Sequence, residues 1–154
     1  MTEYYKINEN LKAYIESLGI INKVTNGRLS DIDIEKREFL PLAHIMIGGG
    51  IIEERTITFN IDILFGDIVR PIEKHSERNE WLHPSNIMDV HNTTFSAANM
   101  VSQALLRGEL YGLYFQIINA PQVTKFEERF ESDFAGWVLS ADIVMPNNQI
   151  CVDA

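Results

Sequence analysis

The chain has 154 residues, 22 acidic against 13 basic side chains and a formal charge of −9. That length suits one domain with its own core, and 45% hydrophobic with 23% charged residues is the composition of a folded soluble protein. The acidic excess argues against a protein that gains affinity by neutralising phosphates, and no apolar run approaches the ~20 residues of a membrane helix.

The N-terminal sequence MTEYYKINEN lacks the basic-then-apolar pattern of a signal peptide, so the chain is expected to stay where it is made. Residues Thr2 to Leu18 carry Tyr5, Leu11, Tyr14, Ile15 and Leu18 at helical spacing, with Thr2 and Glu3 as start signals and Gly19 as the stop. IINKVTNG then reads as a short extended piece ended by the turn dipeptide Asn26-Gly27, and RLSDIDIEKREFLP as polar, acidic loop or edge. After Pro41 a strand follows over 42–47, where Leu42, His44 and Met46 alternate with Ala43, Ile45 and Ile47. Gly48-Gly49-Gly50 breaks that run and reads as a hairpin connection. No Lys-Ser or Lys-Thr follows it, and Glu53 and Glu54 would repel a phosphate.

Thr56 to Val69 is the clearest element. Ile57, Phe59, Ile61, Ile63 and Phe65 share one face of an extended chain and Thr56, Thr58, Asn60 and Asp62 the other, a pattern that predicts a long central strand with one buried face. Read as a helix, the same apolar residues would scatter around the whole circumference. Residues 70–85 are highly charged and form a predicted surface loop, after which Ser85 or Asn86 caps a helix. Its buried stripe is Val90, Thr94, Ala97, Ala98, Val101 and Leu105, and Gly108 ends it. LYGLYFQII (110–118) reads as a strand. VTKFEERFES, with Phe126 and Phe130, and FAGWVLSADIVM read as a hairpin about Ser132-Asp133, ended by Pro146-Asn147-Asn148. The predicted architecture is α+β in one domain over 1–154. Its mostly antiparallel sheet has about five strands, an N-terminal helix and one long helix pack on it, and a C-terminal tail occupies 146–154.

Candidate chemistry is sparse. His75, His83, Asp89 and His91 have ligand types that suit zinc but a spacing that matches no zinc pattern. His44 fits a hydrogen-bonded, half-buried strand residue better than a base. The serines stand in no nucleophile context. Glu53-Glu54 and Glu127-Glu128 are sequence neighbours that point to opposite faces of a strand, so neither pair can act as acid and base together. Asp62 belongs to the polar face of its strand, and Cys151, the single cysteine, has no partner for an internal disulfide and reads as inert. No catalytic, cofactor or metal site is predicted.

In outline the chain resembles a known family. A first amphipathic helix, a proline-led strand (FLPLAHIMI), a Gly-containing turn and a long alternating strand (RTITFNIDILFGDIV) come first. A charged loop, a helix ending in LLRGEL and a closing hairpin with FAGWVLSADIVMPN follow. Together they resemble the small tail terminator and neck-ring proteins of tailed bacteriophages, including the ring proteins of crAss-like phages. The resemblance implies an α+β subunit, without enzymatic activity or cofactor, that is made in the host bacterial cytoplasm. It implies a closed ring of copies in the virion between head or portal and tail, against adjoining portal, neck or tail proteins. DNA would pass through without specific binding. The long loop Arg70–Ser85 departs from the compact members.

From Leu110 onward Lys125 and Arg129 stand against Glu127, Glu128, Glu131, Asp133, Asp142 and Asp153, an acidic balance that serves solubility and that, in the ring the resemblance implies, would let DNA pass rather than hold it. Ile72, Trp81 and Leu82 are apolar residues in the charged loop and are the expected interface contacts, with Trp81 as anchor; the alternative is that Trp81 folds back onto its own sheet near the start of the second helix. Two other classes compete. An adaptor would dock a partner through the 70–85 loop without forming a ring. A small enzyme or ligand-binding module would place a pocket between the helices and the sheet.

Overall fold

In a computed structural model, which describes residues 3–28, 40–70, 86–129 and 134–148, the alternating segment is the middle strand of the sheet. In chain order the elements are α1 (Glu3–Ser17), β1 (Lys23–Asn26), β2 (Leu42–Ile52) and β3 (Thr56–Ile68), then α2 (Ile87–Arg107) and α3 (Glu109–Gly112), and last β4 (Gln116–Ile117), β5 (Gln122–Arg129) and β6 (Phe134–Pro146). The strands form one six-stranded sheet in the order β1-β2-β3-β6-β4, with β5 also on β6. All pairs are antiparallel except β1 with β2. The fold is therefore α+β, as expected, with one strand more than anticipated and one parallel pair.

Because β3 holds one edge of β6, β4 and β5 share the other. Gln116 and Ile117 lie opposite Val144 and Ile143, and Gln122 to Phe126 lie opposite Ser140 to Gly136. They act as one edge interrupted at 118–121, where Pro121 has no N–H to give to a ladder.

The period of two sorts the sheet into two faces. Ile61, Ile63 and Phe65 of β3, with Ile45 of β2 and Ile143 of β6, face the helices. There they meet Ile7, Leu11 and Ile15 of α1 and Ala97, Ala98, Val101 and Leu105 of α2. Alanines on that stripe let α2 lie close to the strands. On the opposite face the residues divide by position. Leu42, Leu64, Phe126 and Phe134 form a second, smaller buried cluster at one end, while Asn60, Asp62 and Ser140 are exposed beyond it. Ser140 Oγ donates to Asp62 Oδ1 at 2.6 Å, so the carboxylate is a solvated member of a polar face.

Several local expectations are corrected. The Gly triplet is not the turn: β2 runs through it to Ile52, with an irregularity between Ile47 and Gly49, and the reversal falls at Glu53–Arg55, closed by Glu53 N to Thr56 O at 2.9 Å. A β-bulge absorbs one extra residue without ending the strand, and glycine suits it. Residues 110–118 are not one strand, because α3 takes a further helical turn anchored by buried Leu110, and only Gln116 and Ile117 pair. The buried line of α1 is Ile7, Leu11 and Ile15 at strict i, i+4 spacing, which leaves Tyr5 exposed and off that line. Asn86 stands at the start of α2 but does not cap it with its side chain. Its Oδ1 accepts from Arg70 N at 2.6 Å and its own N donates to Arg70 O at 3.0 Å, so the end of β3 and the start of α2 are clasped together.

Candidate interaction surface

His44 is wholly buried rather than half-buried, and both ring nitrogens are engaged. Nε2 lies 2.9 Å from the Arg28 carbonyl and Nδ1 lies 2.7 Å from Thr25 Oγ1. A carbonyl can only accept, so Nε2 carries a proton and donates it to Arg28 O, while Nδ1 shares a hydrogen bond with the threonine hydroxyl. The ring ties β1 to β2 and has no lone pair left for chemistry.

His91 belongs to a clamp between α2 and the β5–β6 edge. Its carbonyl accepts from Trp137 Nε1 at 3.0 Å, its ring meets Trp137 edge-on, and Phe95 meets the same indole at 5.2 Å. His91 Nε2 is 3.4 Å from the Phe126 carbonyl and 3.9 Å from Glu127 Oε1. His75 and His83 lie outside the described residues, and among the described residues no three His, Cys, Asp or Glu side chains gather as metal ligands. Glu127 also pairs with Lys125 at 3.6 Å, and Glu53 and Glu54 are exposed in the turn after β2. Burial pushes the Asp67 carboxyl above its usual range, against the opposing pull of the Ile68 amide and the Arg70 guanidinium.

Several cavities open among the described residues. One of about 480 Å³ sits at the interruption of the outer edge, lined by Asn119, Ala120, Gln122, Ser140, Ala141 and Asp142. Two others, of about 230 and 400 Å³, share Asn8, Asn26 and Ile45 and together form a groove between α1 and the sheet edge. Tyr5 and Lys12 stand at one end of that groove; Tyr4, Gly27, Arg28 and Ile47 stand at the other.

The groove lies where β1 stops. β1 covers only Leu42 to Ile45 of β2, with Gly27 N donating to Ile45 O just beyond. From Met46 to Ile52 the outer edge of β2 faces no strand among the described residues. Gly48 to Ile52 are exposed, Ile51 at 59% and Ile52 at 79% of their surface. No Asp, Glu, Lys or Arg occurs from Pro41 to Ile52. The opposite edge is different, with Pro121, Lys125 and Glu127 along it. Charges and proline on an edge strand discourage pairing with another chain, and β2 has neither beyond β1.

A second exposed group, Tyr111, Leu113, Tyr114 and Ile118, surrounds the α3–β4 turn, where Tyr114 takes a φ of +70°. Ile72, Trp81 and Leu82, the contacts expected from the sequence, lie outside the described residues, as does Cys151. Ile51 and Ile52 were missed. The signal that could have marked them is the uncharged run from Pro41 onward, too long for a strand ending at Ile47. Neither a protein-family model nor a curated protein matches the chain.

Proposed function

We propose that this chain is a non-enzymatic structural subunit whose copies close into a ring around the DNA passage in the neck or tail of a bacteriophage virion. In this role it sits against adjoining portal, neck or tail proteins. The observation that carries the reading is the β2–β3 hairpin. It presents two exposed isoleucines and an uncharged strand edge that faces no other strand among the described residues, while the other edge is charged. Such a difference between two sides suits a heterologous contact, in which each copy offers one surface to the next and rotation closes the set. The exposed Asn60, Asp62 and Ser140 on the outer sheet face, with a formal charge of −9, support a surface past which nucleic acid slides without counterion-release gain.

The test is the mass of the purified chain in solution, measured by light scattering on a sizing column, with electron micrographs of the same fractions. Closed rings of a fixed copy number are expected. A mass of one subunit at every concentration would sink the reading.

A further inference from the structure

We infer that the exposed hairpin residues Ile51 and Ile52 of one copy pack against Tyr111, Leu113, Tyr114 and Ile118 of the next. The inference rests on the ring reading and names the surface that receives the hairpin.

α3 ends in a turn of the kind glycine usually makes, with a tyrosine in its place. Phe115 N donates to Leu110 O at 3.1 Å and Tyr114 N to Tyr111 O at 3.0 Å, the pair of bonds that closes a helix when the residue beyond it turns left-handed. Glycine takes that position at no steric cost, whereas Tyr114 holds it at a φ of +70° with a Cβ that crowds the backbone. Leu110 and Phe115 are buried and secure the turn, but Tyr114 keeps 69% of its surface exposed, so burial of its ring does not offset the strain. Strained residues of this kind cluster where a ligand or partner is gripped. With Tyr111, Leu113 and Ile118, each about half exposed, Tyr114 presents on the order of 400 Å². That is within the ~300 to 600 Å² of the largest apolar patch on a typical monomer, which is often a binding surface.

The ladders set this patch against the hairpin. Ile51 lies opposite Thr58, Thr58 opposite Val144 and Val144 opposite Gln116, so the hairpin isoleucines and β4 occupy one row of the sheet at its two sides. The faces match as well. Ile51 is on the outer face, where Ile118 also points because its neighbour Ile117 packs on the core; Ile52 is on the helix face, in the layer that holds α3. A neighbour related by rotation about an axis along the strands therefore brings hairpin to patch with like faces together, and each further copy does the same until the ring closes. Charge selects this part of the edge. No Asp, Glu, Lys or Arg occurs from Leu110 to Thr124, as none occurs from Pro41 to Ile52, whereas Lys125 and Glu127 further along β5 would leave charges against the isoleucines.

Disulfide trapping tests the contact in full-length Cys151→Ser protein, a background that lacks the single cysteine of the chain. Two double variants are made in it, Ile51→Cys with Ile118→Cys and Ile52→Cys with Leu113→Cys. In the first, three strand spacings of ~4.8 Å separate the two cysteines of one copy, beyond the ~7 Å limit of a bridge, so oxidation joins only different copies. Mild oxidation is expected to give, in at least one double variant, a ladder of covalent trimers and larger species, while each single variant stops at traces of dimer. Efficient dimers of Ile51→Cys or Ile52→Cys alone would replace the contact with hairpin-to-hairpin pairing. A wild-type ring with no ladder from either double variant overturns the contact and leaves the ring reading standing. A wild-type mass of one subunit overturns both.

Tyr114→Gly separates the contact from the fold. Glycine suits the left-handed turn, so at a dilution where both chains are single subunits the variant should melt no lower than wild type. The concentration at which its rings form should nevertheless rise about tenfold or more, the loss expected of an aromatic anchor. Assembly of Tyr114→Gly at the wild-type concentration overturns the assignment of that surface.

Discussion

Gly66 and Gly136 lie directly opposite each other in β3 and β6, and the Phe134 side chain, fully buried, lies over Gly66. An added Cβ at Gly66 would overlap that ring, coming within 2.6 Å of Phe134 Cε1. The ring has no room to withdraw, because Phe126 packs against it with centroids 5.7 Å apart. Gly66→Ala should therefore cost ~1 to 3 kcal/mol as overpacking. Phe134→Ala removes a buried aromatic and should cost ~3 to 5 kcal/mol, a large share of the ~5 to 15 kcal/mol that holds a domain folded. In the double variant the new methyl enters space the ring has left, so the two costs should not add. The double variant should be more stable than the sum by ~1 to 3 kcal/mol.

Urea titration followed by tryptophan fluorescence measures this, provided the slope of each transition stays constant. Where Phe134→Ala leaves too little folded protein, Phe134→Leu serves in its place. Gly136→Ala is the control. Its Cβ would strike the Phe65 carbonyl and the Gly66 Cα, which are backbone, so trimming Phe134 should give it no relief. Additivity of Gly66→Ala with Phe134→Ala to within ~0.5 kcal/mol would show that the ring is not what requires glycine there.

Asp67 sets a pH dependence. Burial raises its pKa, so the folded chain holds that proton more tightly than the unfolded chain. The stability this adds is full below the unfolded carboxylate value of ~3.9 and is lost as pH rises through the folded pKa. Asp67→Asn, which keeps an oxygen for the Ile68 N–H, should raise Tm near neutral pH and lose that advantage in acid; an equal gain at both ends contradicts the assignment. Ile61, 2% exposed in the middle strand, should not tolerate aspartate, whereas Phe59, only partly buried, should lose less; equal Tm losses for Ile61→Asp and Phe59→Asp would show that the hairpin beyond the core is packed. The purified chain should not shift duplex DNA on a gel at physiological salt, and a salt-sensitive micromolar complex would contradict the reading of its charge.

The parts of the fold legible in the sequence are those whose residues report on a local period. Thr56–Ile68 alternates because one face meets helices, and Val90, Thr94, Ala97, Val101 and Leu105 recur because one stripe of α2 meets the sheet. What was not legible depends on lengths and partners far away in the chain. Three glycines signal a turn when taken alone. That they sit inside β2 follows from the ladder with β3, which pairs Gly49 and Gly50 with Asn60 and Phe59. The aromatic run at 110–118 looks like a strand because Leu110 and Phe115 are apolar, yet both are buried from a helical turn and its exit rather than from a ladder. The candidate surface was hidden for the same reason. Ile51 and Ile52 lie on the part of β2 that runs past β1, which spans only Lys23–Asn26, a mismatch between strands that no window of sequence contains.

That mismatch also bears on how copies would assemble. An open edge in water is solvated and costs the lone subunit little, so the gain on contact comes mainly from covering the isoleucines. Fully burying a wholly exposed side chain of this kind gives ~1.5 to 3 kcal/mol, and Ile51 and Ile52 start at 59% and 79% exposure, so together they supply ~2 to 4 kcal/mol. Ordering two free proteins into one complex costs an estimated ~4 to 15 kcal/mol, so a single contact of this size, even with a short ladder added, holds two copies weakly. Closing a ring adds a last contact between groups already held together, at an effective concentration far above that of free protein, so the closed species gains a contact without a further loss of freedom. Open dimers and trimers should therefore be scarce beside monomers and closed rings. Sedimentation velocity over a dilution series reads that distribution directly, and a smooth ladder of intermediate sizes would show that the contact is strong alone and needs no closure.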